Sequence, residues 1–103
     1  MPTVYVDASI VTKAKAFGQI SGNIEVPIIP QIGDLLTFNP RGPASIFAVV
    51  GLLRVSGRII SANTNDPVSL VLDDIVVETD DDARKIIRFL EEGHGLLGDI
   101  WDD

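Results

Sequence analysis

A chain of 103 residues has the length of a single domain spanning 1–103, and a hydrophobic fraction of 46% excludes a disordered polymer. Cysteine is absent, which removes disulfides, zinc–thiolate centres and thiol catalysis. The net charge of −7 sits almost wholly in residues 73–103, which hold eleven acids and three bases, so no basic stripe is offered to a phosphate backbone.

Val and Ile together supply 24 residues against nine Leu. Side chains branched at Cβ pack well on a pleated surface, and most of the chain is expected to be strand. The longest apolar run, Ile46 to Leu53, has eight residues including Gly51, short of the roughly 18 that a membrane span needs. Met1-Pro2-Thr3 opens without the basic and apolar regions of a secretory leader. The expected address is therefore the cytoplasm, with no membrane contact.

In chain order, Val4, Val6, Ala8 and Ile10 alternate with Tyr5, Asp7, Ser9 and Val11, which predicts a half-buried strand over about residues 3–12. Residues 13–23 lose the alternation. A turn is expected near Ser21-Gly22-Asn23, with a second strand from Ile24 to Ile29. Pro27 and Pro30 bracket Ile28-Ile29, so this strand belongs at an edge. Gln31 to Asp34 reads as a turn, Leu35 to Phe38 as a short strand, and Asn39 to Pro43 as a loop.

Residues 45–61 are strand-like throughout, either one kinked strand or two short ones, because Gly51 and Gly57 mark bends. Asn63 to Pro67 forms a turn. Val68 to Glu78 is the next strand, and a bulge at Asp73-Asp74 lets Leu70, Leu72, Ile75 and Val77 all face the core. Thr79 caps a helix over about residues 80–92, with Asp80, Asp81 and Asp82 in its first turn. Ala83, Ile86, Ile87 and Leu90 form its apolar stripe, and Gly93 is the expected stop. The segment 94–103 is both apolar and acidic.

These elements predict an α+β domain, mainly β. Its core would be a small, strongly bent antiparallel sheet or a partly open five-stranded barrel, with one C-terminal helix. The stretch Val26-Pro27-Ile28-Ile29-Pro30-Gln31-Ile32-Gly33-Asp34 resembles the V-P-x-x-P-x-x-G-D segment that opens small bacterial β-barrel proteins of unknown function. The pairing of Phe47-Ala48-Val49-Val50 with Val68 to Leu72 is similar too. The resemblance implies a barrel-like fold and no activity.

Few residues point to chemistry. Asp73, Asp74, Glu78 and Asp80 to Asp82 suggest a hard-cation site, but successive helix residues point about 100° apart and capping already accounts for the last three. His94 is the single histidine and is expected to lie exposed beyond the helix, with none of Ser9, Ser45, Ser56, Ser61 or Ser69 in a nucleophile elbow. No catalytic, metal or cofactor site is therefore expected. Arg54 and Arg58, with Arg41, would form an anion pocket if they share one strand face, which a bulge at Gly57 would prevent.

Leu96, Leu97, Ile100 and Trp101 lie past the helix stop, and Ile28 and Ile29 on a proline-broken edge. Together they predict an interface, most simply between two copies. The function expected is a non-catalytic binding or protein-interaction module. The alternatives are a small enzyme or ligand-binding barrel with an Arg/Asp pocket, and an acidic mimic of nucleic acid that blocks a basic partner.

Overall fold

The computed structural model describes residues 2–13, 15–38 and 53–101. The predicted loop at 39–43, Arg41, Ser45 and the apolar run as far as Leu52 lie outside the described residues.

Strand β1 (Thr3–Val11) buries Val4, Val6, Ala8 and Ile10 on one face, as its alternation predicts. It pairs antiparallel with β2 (Ala16–Glu25). The connecting turn is at Thr12 to Lys15, closed by the Thr12 N–H donating to the Lys15 carbonyl at 2.8 Å, and not at Gly22. Gly22 instead sits inside β2 opposite Val6. The alternation of β2 was hidden because two of its inward positions are glycines: Gly18, Ile20, Gly22 and Ile24 face Ile10, Ala8, Val6 and Val4.

The segment after β2 crosses to the far edge of the sheet, where β3 (Leu35–Leu36) pairs with β4 (Leu53–Ile59). Ile28 and Ile29, expected in strand, lie in this irregular crossing. β4 pairs antiparallel with β5 (Val68–Leu72), and a register shift falls between Val55 and Gly57. The intervening turn contains Asn63 in the left-handed region, at φ 62°.

β5 and then β6 (Ile75–Val76) both run parallel to β1. Between the two paired stretches this side carries three residues, Leu72 to Asp74, against two on β1, Ala8 and Ser9. That one-residue bulge switches the parity. Leu70 and Leu72, then Ile75 and Val77, are all buried. At the break the Asp73 N–H donates to the Arg54 carbonyl at 2.9 Å, tying it to β4.

Helix α1 (Asp80–His94) covers the buried face of β2 with Ala83, Ile86, Ile87 and Leu90. Thr79 Oγ1 accepts from the Asp82 N–H at 3.1 Å, and three aspartates follow in the first turn. The helix runs one residue past Gly93. Gly95 ends it at φ 69°, its N–H donating to the Glu91 carbonyl at 3.2 Å while the next N–H, of Leu96, donates to the Leu90 carbonyl at 3.3 Å. The chain then forms β7 (Leu97–Ile100), which pairs antiparallel with β2.

The domain is α+β and mainly β. Its seven-stranded sheet has the order β3-β4-β5-β1-β2-β7, with β6 alongside β1. The sheet is mixed, not antiparallel throughout, because β5 and β6 run with β1. It does not close, and β3 and β7 are its terminal strands among the described residues.

Candidate functional site

His94 occupies the last turn of α1, where Gly95 breaks the helix. Its ring meets Phe38 edge-to-face at 5.2 Å and Phe89 at 5.7 Å. The expectation of an exposed histidine is corrected to a half-buried one: Phe38, brought across from the end of the β3 segment, packs on part of its ring. Nε2 is out of contact with solvent and has no hydrogen-bond partner among the described residues. Burial lowers the pKa of the ring below the ordinary 6.5, because desolvation penalises the imidazolium. A cavity of about 290 Å³ opens beside it, lined by Ile24, Glu25, Val26, Leu36, Thr37 and Phe38 among others. Among the described residues no serine lines that cavity.

The arginines are not brought together. Directly opposed residues project to the same face. Val55 faces buried Leu72, so neighbouring Arg54 points to the other side, while Gly57 opposes exposed Val71 and Arg58 opposes buried Leu70. The bulge therefore places Arg54 and Arg58 on opposite faces, both exposed. Among the described residues, no group of three or more His, Asp or Glu converges to hold a metal ion. Asp81 pairs with Arg84 at 3.5 Å on the helix surface.

The six apolar interface candidates divide. Leu96 is corrected to core: it is 2% exposed and packs on Gly22, where an added Cβ would meet its Cδ2. The absent side chain of Gly22 is the seat that receives it. Leu97 is 73% exposed, and Ile100 and Trp101 are also exposed beside it. Ile28, 72% exposed, and Ile29 lie on the crossing segment. Ile28 shares a shallow hollow with Pro27 and Leu35, toward the opposite edge of the sheet from β7.

Sequence reasoning missed one polar device. Glu91 reaches from α1 to β7, its Oε2 accepting from the Gly98 N–H at 3.2 Å. Nothing local in the sequence announces it, because it depends on β7 returning beneath the helix. The same contact needs a glycine, since a Cβ at Gly98 would collide with the Ile87 side chain. Comparison with known proteins gives no further guide: no family model, curated protein or solved structure matches the chain.

Proposed function

We propose that this chain is a small non-catalytic interaction module that self-associates as a homodimer through its C-terminal edge, in the cytoplasm. The observation that carries the reading is β7. Leu97 and Ile100 lie on this terminal strand, on opposite faces because they oppose Ser21 and Gly18, and Trp101 directly follows it; all three are exposed among the described residues. Large apolar side chains grouped on an edge favour burial against another surface. A two-fold axis buries one such patch against itself.

The enzyme reading draws no support from Arg54 and Arg58, which face apart, or from the unpartnered His94. The nucleic-acid mimic draws little, because Asp80, Asp81 and Asp82 are gathered on one helix turn and not spread at phosphate-like spacing. No helix among the described residues is long and apolar enough to cross a membrane.

Light scattering at micromolar concentration tests the proposal. The expected mass is twice 11.1 kDa, returning to 11.1 kDa in Leu97→Glu. Leu97 opposes Ser21, on the sheet face away from the core, so this substitution leaves the fold intact. A wild-type mass of 11.1 kDa at all concentrations overturns the dimer.

A further inference from the structure

The face of the sheet turned away from α1 carries a polar row. Tyr5 on β1 stands opposite Asn23 on β2 and beside Ser69 on β5. Val4 and Val6 are buried on the other face, so alternation sends this row outward. Neighbouring strands are about 4.8 Å apart, which puts a phenol ring, an amide and a hydroxyl in line over roughly 10 Å. Ser61, Asp66 and Pro67, from the turn between β4 and β5, join the row, and the six residues line a hollow of about 380 Å³. That size falls within the range of small-ligand sites. Thr64, which is outside the lining, holds the turn. Its hydroxyl donates to the Ser61 carbonyl at 3.5 Å and accepts from the Asp66 N–H at 3.3 Å. Among the described residues, the side chains of Tyr5, Asn23, Ser61, Asp66 and Ser69 make no hydrogen bond of their own to the protein.

The chemistry of the lining selects the guest. Among the described residues it holds one carboxylate and no Lys, Arg or His, so a phosphate or other anion is repelled. An apolar guest would strip water from five polar side chains and return no hydrogen bond. A cation would use the Asp66 carboxylate and the Tyr5 ring, leaving the Asn23 amide and the two serine hydroxyls idle. A sugar ring answers all of them. Its hydroxyls donate and accept, and its C–H face packs on an aromatic ring or a proline. We infer that this hollow binds a neutral saccharide, with Tyr5 and Pro67 as its apolar seat and Asn23, Ser61, Asp66 and Ser69 as hydrogen-bond partners. None of these residues belongs to β7, so the site stands whether or not the chain self-associates.

Nuclear magnetic resonance on the isotope-labelled full chain tests this at the amides of Tyr5, Asn23, Asp66 and Ser69. The probes are glucose, galactose, N-acetylglucosamine and the disaccharides cellobiose, lactose and chitobiose. Choline and inorganic phosphate represent the competing chemistries. At least one saccharide is expected to shift these amides saturably. Tyr5→Ala removes the seat and Asn23→Ala the amide, and each is expected to weaken that saccharide about tenfold, the scale of one lost contact. Gln19→Ala, on the same face opposite Ser9 and outside the hollow, is expected to bind as wild type does. The amide spectrum checks the fold of each variant, and Asn23→Ala carries the test if Tyr5→Ala does not fold. An absence of saturable shifts with every saccharide, up to the solubility of each, overturns the proposal. So do shifts at these amides with choline or phosphate alone, or equal weakening in Gln19→Ala.

Discussion

His94 carries one polar atom too many for its surroundings. Its ring lies between Phe38 and Phe89, and Nε2 is buried without a hydrogen-bond partner among the described residues. The C-terminal end of a helix favours a cation, but burial outweighs that and lowers the pKa. The unfolded chain therefore binds a proton at higher pH than the folded one. Stability from this residue is present above about pH 6.5 and is lost as the pH falls below that value, until the folded ring is itself protonated. His94→Phe keeps an aromatic ring and removes the titration. Its melting temperature is expected to be flatter than wild type between about pH 6.5 and 5, a range above most carboxylate titration. Parallel curves for the two proteins would show that His94 is solvated in the native state. The residue could not be placed from sequence, because Phe38, which packs on it, is remote along the chain.

Whole elements divide by how local their determinants are. Helix α1 was legible because Thr79, the three aspartates and the apolar stripe all act within one segment. Thr79→Ala is expected to cost about 1 kcal/mol, and Ile87→Ala about 2–5 kcal/mol, by urea denaturation. The bulge at Asp73-Asp74 was legible too, since parity alone demands it. Strand partners were not: alternation shows which face is buried and not which neighbour pairs, so the parallel contact of β5 with β1 escaped notice. β2 and β7 were obscured by glycines that serve as seats. A Cβ at Gly18 would run into the backbone carbonyl of Asp99, whereas one at Gly57 meets only Val71 at ordinary contact distance. Gly18→Ala is thus expected to unseat β7, with fast hydrogen exchange at the Trp101 amide, while Gly57→Ala stays within about 1 kcal/mol of wild type. Retained protection at Trp101 in Gly18→Ala would mean that β7 keeps its ladder to β2 despite the added Cβ.

At the scale of the molecule, charge and topology meet at one end of the chain. Residues 73–103 carry the acidic excess, and they include α1 and β7, whereas residues 1–72 are close to neutral. A dimer built on β7 brings two acidic segments together, and apolar burial of Leu97, Ile100 and Trp101 has to exceed that repulsion. Salt tells the two forces apart. The screening length falls from about 30 Å at 0.01 M ionic strength to about 8 Å at 0.15 M, so repulsion between the segments weakens while apolar burial is retained. Dimerisation through β7 is therefore expected to strengthen as sodium chloride is raised over that range. An interface at Ile28 and Ile29 would join the near-neutral part of the chain and respond little. Sedimentation equilibrium across the salt series distinguishes them. A dissociation constant that rises with salt, or does not move, would take the interface away from the acidic edge.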